Sequence, residues 1–315
     1  IHYTLSCDSQ HRFDGWFKNA EAFDQQVEKG NVTCPVCSSI KVEKADAVTL
    51  LIATGTNYRL TPELFQNPAE KKLDPNQFPH DEVTSRIDAA QSAGYAALKE
   101  RHLKDYQNLF GRVSVNLNST PSTDPTHLLL EKYKKGESNT WLEELMFQYG
   151  RYLLISSSRK GGLPANLQGI WNDLMDPPWE SKYTVNINTE MNYWPAEQNG
   201  LGECVEPVQR MLEELAQTGA GVARDMYGAG GWMLHNNTDL WRAATPPDGA
   251  RWALWPTGGA WLLQALWDRW DYGRDPEYLK QIWPLFKGAA QFFVDTLQDD
   301  QRCVAIKAKL NAPKG

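Results

Sequence analysis

Apolar and polar positions change rhythm several times along the chain, and each change predicts a different element. Residues 46–58 hold a β-rich apolar run, Val48-Thr-Leu-Leu-Ile-Ala, which reads as one buried strand. Residues 60–90 are rich in Pro and Asp with little periodicity and read as linker or surface loop. Helical spacing begins near Ser92 with Tyr95, Leu98, His102 and Tyr106; a strand is expected over 112–117 and a turn over 121–126. A strong helix opens at Thr140, where Thr140 and Glu143 fit a capping box. Leu142, Leu145, Met146, Tyr149, Tyr152 and Leu153 form its apolar stripe. Further helices are expected at about 190–200, 204–219, 258–272 and 276–298. The last has Asp275 as N-cap, Pro276 in its first turn, and Tyr278, Ile282, Leu285, Phe286, Ala289, Phe292 and Phe293 on its apolar side. Two long aromatic loops, 161–181 and 231–259, interrupt the helices, and loops of this length in a compact domain are usually functional. Helices joined by such loops predict a mainly α fold of toroid type, with the site at the loop end.

Composition narrows the partners. The 315 residues carry a net charge of −7, which argues against nucleic acid, because phosphate binding needs a basic face. No apolar run reaches the roughly 18 residues of a membrane span. The first residues lack a basic stretch followed by an apolar core, so no signal peptide is expected and the chain as it stands reads as cytoplasmic. The 13 Trp residues matter more, because indole faces suit the flat C–H faces of sugars as well as they suit a helical core. Their crowding between Trp171 and Trp283 favours a carbohydrate cleft there.

Three segments carry candidate chemistry. In Tyr183-Thr-Val-Asn-Ile-Asn188, Asn186 and Asn188 alternate about Ile187, so in an extended segment both amides share a face. They can orient a water or a sugar hydroxyl, or cap the helix that follows. His235-Asn-Asn-Thr-Asp-Leu-Trp-Arg242 groups His235, Asn237, Asp239, Trp241 and Arg242. In Trp252-Ala-Leu-Trp-Pro-Thr-Gly-Gly-Ala-Trp261, Trp255 and Trp261 offer stacking faces. Together they describe a polar pocket with aromatic walls.

Leu163-Pro-Ala-Asn-Leu-Gln-Gly-Ile-Trp-Asn172, Pro177-Pro-Trp179, Tyr183-Thr-Val-Asn-Ile-Asn188, Met191-Asn-Tyr-Trp-Pro-Ala-Glu197, Asn237-Thr-Asp-Leu-Trp-Arg242 and Trp255-Pro-Thr-Gly-Gly-Ala-Trp261 resemble the signature stretches of glycoside hydrolase family 95. The resemblance covers about residues 46–300. It implies part of an (α/α)6 barrel over 136–300, inverting hydrolysis of terminal α-1,2-linked L-fucose on an oligosaccharide, and no cofactor for that reaction. L-galactosides are open as alternative substrates. By this resemblance Asn186 and Asn188 hold the attacking water, an aspartate makes the asparagine basic, and a glutamate in a Ser-Pro-Glu-Asn stretch protonates the leaving group. No Ser-Pro-Glu-Asn occurs in these 315 residues. Glu190, Glu197, Glu203, Asp239 and Asp248 lie near the motifs, but nothing in the sequence sets any of them across a sugar from Asn188. A truncated or chimeric form with impaired catalysis is therefore expected, with a catalytically dead carbohydrate-binding remnant as the alternative. Uncovered helix faces would favour self-association.

Residues 1–45 differ in character. Cys7-x3-His11, Phe13-Asp-Gly-Trp-Phe17, Phe23-Asp24, Cys34-Pro-Val-Cys37 and Val42-Glu-Lys-Ala45 resemble the zinc-ribbon-like start of a small bacterial family of unknown function. Cys7, His11, Cys34 and Cys37 suit one tetrahedral structural zinc, against a redox pair or idle thiols at Cys34 and Cys37. An interaction module fused to a hydrolase fragment is a further reading. The family 95 resemblance implies that residues 46–135 are the end of a β-sandwich plus linker helices, while 301–315, without an acidic residue, read as an unrelated tail.

Overall fold

The computed structural model describes residues 1–44 and 50–297. Ala45, the first residues of the expected strand at 46–49, and everything after Leu297, including the tail and Cys303, lie outside the described residues. The described chain is mainly helical and divides into two compact units, one of Ile1–Thr56 with Phe78–Glu100, the other of Asn57–Gln77 with the residues from Arg101 onward.

The first unit is built on β1 (His2–Cys7), flanked antiparallel by β2 (Arg12–Trp16) and by β3 (Val42–Lys44). Between the outer strands runs α1 (Ala20–Glu28), whose N-cap Asn19 accepts a hydrogen bond from Ala22 N at 2.8 Å. Leu5, Phe23, Val32 and Val42 form the core, and Phe17 meets Phe23 edge to face at 4.9 Å. Of the aromatic stretch, Trp16 stays outside, 80% exposed.

In the second unit, α2 (Pro62–Gln66) and the 3-10 turn Ala69–Lys71 replace the expected featureless linker. Leu64 and Phe65 are buried, and Arg242 stacks over the Phe65 ring, so tertiary packing orders a Pro-rich stretch that has no periodicity of its own. Helix α3 (His80–Phe110) starts well before Ser92 and breaks at Gly94, whose φ of 75° and ψ of 160° only glycine adopts readily. The expected strand at 112–117 does not form. Side chains of a helix take backbone groups there: Arg151 donates to the Val113 carbonyl (2.6 Å) as well as to that of Phe110 at the end of α3 (2.8 Å), and Glu144 accepts from Leu117 N. The described part of the other expected strand, Leu50 to Tyr58, is irregular as well.

Helix α4 (Thr126–Lys134) follows, unpredicted, and then α5 (Thr140–Ser157). Asn139, one residue before the expected cap, receives the hydrogen bond from Leu142 N at 2.8 Å, while Glu143 accepts from the Tyr133 hydroxyl. The buried face of α5 is Leu142, Arg151, Leu154 and Ile155; Met146, Tyr149 and Tyr152 of the expected stripe face outward. The stripe has the right period but is rotated, because Arg151 turns inward to cap the end of α3.

The main core lies between α7 (Glu206–Tyr227) and α11 (Pro276–Thr296), reached through the short α6 (Asn188–Tyr193), α8 (Ala250–Ala253), α9 (Gly258–Leu262) and α10 (Gln264–Gly273). Met211, Leu212 and Leu215 of α7 share it with Ile282, Leu285 and Ala289 of α11. Asp275 caps α11, accepting from Glu277 N at 2.9 Å as the sequence predicts. The chain at 229–238 threads close to both helices. A Cβ on Gly219 would lie 2.2 Å from the Met233 carbonyl, and Trp232 Nε1 donates to the Leu285 carbonyl at 2.9 Å. That segment ends in β5 (Asn237–Thr238), antiparallel to β4 (Tyr183–Thr184).

Candidate functional site

The β4–β5 pair fixes where the asparagines go. Tyr183 pairs with Thr238, Thr184 with Asn237, and Val185 N donates to the Asn236 carbonyl at 2.7 Å. Ile187 ends the extended run as the N-cap of α6, without a side-chain cap, and Asn188 is the helix's first residue. Neither asparagine is used for capping. Asn186 and Asn188 instead line a cavity of about 300 Å³ together with Leu167, Gln168, Trp179 and Thr184. Ile187 between them points out, 39% exposed. The shared face that the alternation predicts is therefore present.

Residues 161–181 supply the rest of this wall. Asn166 and Gly169 bridge to each other, and Gln168 Nε2 donates to the Pro178 carbonyl at 2.9 Å. The chain then takes three consecutive left-handed residues, Trp179, Glu180 and Ser181, with φ of 50°, 57° and 51°. Each such non-glycine residue costs of order 1 kcal/mol, and runs of them persist where surrounding contacts enforce them. Here Lys182 Nζ lies 3.1 Å from both carboxylate oxygens of Asp248 and 3.4 Å from Glu180, and Asn237 Nδ2 donates to Asp248 Oδ2. The result holds Trp179, 74% exposed, at the cavity rim. Gln168 and Trp179 are wall residues that lie inside the quoted signature stretches but are not among the expected site residues.

The other expected contact residues lie off this cavity wall. His235 is fully buried; Trp255 N donates to its Nδ1 at 3.2 Å, its Nε2 lies 3.1 Å from the Tyr227 hydroxyl, and burial pushes its pKa down. Asp239 accepts from the backbone N–H groups of Trp241 and Ala243, which turns the loop. Trp241 packs edge to face on Tyr58 at 5.6 Å. Arg242 is fully buried and pairs through Nε with Glu214 at 2.7 Å. Trp255 and Trp261 lie 6.4 Å apart as a pair. None of these, Asn237 included, is on the wall that holds Asn186 and Asn188.

The acids stand apart too. Among the described residues, none on the cavity wall is a carboxylic acid. Glu190 is buried on α6 with neither carboxylate oxygen hydrogen-bonded to another side chain, and burial pushes its pKa up to about 7. Glu197 faces Arg269 at 3.9 Å, and Glu203 pairs with Arg112 at 2.6 Å.

In the first unit, Cys7, His11, Cys34 and Cys37 place one ligand atom each within 4.8 Å of one another. Gln10 N returns to the Cys7 carbonyl and Ser38 N to the Cys34 carbonyl, so two tight turns, each with a left-handed residue at Gln10 or Ser38, face their ligands together. Cys7 Sγ lies 3.7 Å from Cys37 Sγ, and Cys34 Sγ 3.8 Å from His11 Nδ1. This set could hold a metal ion.

Residues 94–313 match the sequence profile of the glycosyl hydrolase family 95 catalytic domain. The chain belongs to that family. The family 95 match runs past Asp300, into the segment whose composition sets it apart. Residues 1–108 match a protein family of unknown function, DUF1178, so the two matches overlap at 94–108, around the Gly94 break. Among curated proteins, the chain is similar to alpha-L-fucosidase 2 of Arabidopsis thaliana, 40% identical over 85% of this chain and 32% of the relative. It is similar also to a probable alpha-fucosidase A of Aspergillus niger, 37% identical over 85% of this chain and 34% of the relative. The same-named protein of Aspergillus oryzae is 33% identical over 64% of this chain and 28% of its own length. The chain thus spans about a third of the length of the curated relatives it matches. No helix among the described residues is long and apolar enough to cross a membrane.

Proposed function

We propose that this chain carries the water-holding half of an inverting α-L-fucosidase site, and that Asn186 and Asn188 are its catalytic amides. The observation that carries the reading is the convergence of these two amides, without protein partners among the described contacts, on one cavity beside Trp179 in a family 95 chain. Inversion needs two acts at once. The C–O bond to the leaving oxygen breaks as that oxygen gains a proton, and a water attacks the anomeric carbon from the opposite face as it loses one. A pair of amides can hold that water, each offering an acceptor and donors. An amide is a weak base without a carboxylate to polarise it, and the cavity wall supplies none. The 315-residue chain should therefore bind a terminal L-fucoside without turning it over. Isothermal titration with L-fucose tests the binding: heat of binding that disappears in Asn188→Ala supports the reading, and heat unchanged in that variant refutes it. His235, Asn237, Asp239, Trp241, Arg242, Trp255 and Trp261 act in this reading by shaping the loops behind the wall.

The first unit holds a structural zinc in this account. Zn–S bonds of about 2.3 Å at tetrahedral angles put neighbouring sulfurs about 3.8 Å apart. The Cys7–Cys37 separation of 3.7 Å fits that edge, and Cys34 lies 3.8 Å from His11 Nδ1, slightly outside the roughly 3.6 Å edge that the shorter Zn–N bond gives. A zinc there would stitch β1, its hairpin turn and the Cys34–Cys37 knuckle into one small fold, with no part in the sugar chemistry.

A further inference from the structure

Three sulfurs meet in the first unit, and they are not equivalent. Cys7 and Cys34 are buried, at 4% and 1% exposure, while Cys37 opens to solvent. Cys34 faces His11 Nδ1 at 3.8 Å, and the Cys37 sulfur lies 3.7 Å from that of Cys7. Cys7 is the last residue of β1 and is paired with Val42 of β3, so the sheet fixes it. Cys37 sits on the knuckle, a tight turn in which Ser38 N donates to the Cys34 carbonyl at 2.8 Å and Cys34 N to the Ser39 carbonyl at 2.9 Å. The tip of that turn stands clear of the core, with Val36 67% exposed. The sulfur that solvent reaches therefore touches one on a different element, 30 residues away along the chain.

We propose that this cluster is a redox switch, in which hydrogen peroxide exchanges a bound zinc for a disulfide between Cys7 and Cys37. The proposal rests on the structural zinc of the first unit, and its test separates the two. Oxidation of cysteine follows thiolate character and exposure, and Cys37 has the exposure. The Cys37 thiolate attacks one peroxide oxygen; an S–O bond forms, the O–O bond breaks and hydroxide leaves. The Cys7 thiolate then attacks the Cys37 sulfur; the S–S bond forms, the S–O bond breaks and a second hydroxide leaves. Two electrons pass from the two sulfurs to the peroxide. Closing 3.7 Å to a bond of about 2.05 Å asks for a small movement, which the exposed knuckle can make and the sheet need not. Cys34 and His11 remain, two ligands where a structural zinc needs four, so the metal leaves.

The pairing matters. A bond between Cys34 and Cys37 would close only the knuckle on itself. A bond between Cys7 and Cys37 ties the knuckle to β1, the same two elements that the zinc would join, and a cross-link over a loop of this length restrains the unfolded chain. The unit would give up its metal and keep its fold.

The test uses the 315-residue chain purified with its zinc. One equivalent of hydrogen peroxide should release one equivalent of zinc, read with a chromogenic chelator. Peptide mapping should find Cys7 joined to Cys37, with Cys34 and Cys204 still free. Amide hydrogen exchange at β1 should stay slow in the oxidised, zinc-free protein and turn fast in reduced protein stripped by a chelator. Dithiothreitol with added zinc should restore the starting state. Zinc that stays bound under peroxide, zinc released with Cys34 joined to Cys37, or fast exchange at β1 after oxidation overturns the switch and leaves the structural zinc standing. Protein that takes up no zinc when reduced and supplied with it overturns both.

Discussion

At the scale of single residues, the question is which buried polar groups serve chemistry and which serve the frame. Asn186 and Asn188 are half-buried, line the cavity and make no described contact, whereas Arg242 and Glu214 are consumed by each other. Removing one member of a buried pair leaves an uncompensated charge and costs about 3–5 kcal/mol. Glu214→Ala should therefore lower stability by that amount in urea melts, and a loss under 1 kcal/mol would show that water reaches Arg242. Glu190 makes a separate prediction. Its pKa of about 7 in the folded chain exceeds that of an ordinary carboxyl, so between roughly pH 4.5 and 7 the folded state holds a proton that the unfolded state releases. Stability from this group is present below that window and is lost as pH rises through it, each tenfold difference in proton affinity between the two states being worth about 1.4 kcal/mol. Glu190→Gln should flatten that fall in thermal melts across the window; an unchanged slope would place the titration elsewhere. The shared face of the asparagine pair was legible because period-2 alternation is a local rule, whereas the choice between holding a water and capping the next helix came only with the family resemblance. The burial of Arg242 against Glu214 was not legible, because that partner lies 28 residues before it.

At the scale of elements, the long periodic helices were readable and the non-local ones were not. Helix α11 announced both its cap and its buried face. Helix α5 announced its period, but Arg151 rotated it, since a cation donating to the Leu109, Phe110 and Val113 carbonyls cannot be read from α5 alone. Those bonds cap the end of α3 and occupy the backbone that the sequence assigns to a strand. The knuckles of the first unit were legible from spacing, and β1 with its partners completes them. If zinc joins them, the purified protein should carry about one zinc per chain by atomic emission. Chelation should unfold β1–β3 with little change in the helical circular dichroism of the rest. Cys34→Ser protein retaining full zinc would contradict the site. In the core, Leu215→Ala removes a fully buried side chain between α7 and α11 and should cost about 2–5 kcal/mol in the same melts.

At the scale of the whole molecule, the chain matches about a third of each relative's length, and outward apolar groups such as Trp267, Trp283, Val294 and Leu297 lie on α10, α11 and just beyond. Contiguous apolar surface favours association. Sedimentation velocity should show mass rising with concentration, reduced in Trp283→Glu; a monomer at all concentrations would show these side chains to be tolerated singly. The family was legible because its motifs are long and local. That no acid reaches the cavity wall needed the fold, which turns Asp239 to the backbone and Glu197 to Arg269. Leaving-group protonation and water activation are each worth about 10²–10⁴-fold, so a wall of amides without acids should bind and not turn over. The most direct measurement is release of L-fucose from 2′-fucosyllactose by the 315-residue chain, alongside titration of the same sample. The account predicts binding without release, and loss of that binding in Asn188→Ala. Release that disappears in Asn188→Ala would contradict it and would give the proton-donating role to one of the acids set apart from the wall, with Glu190 the first to substitute.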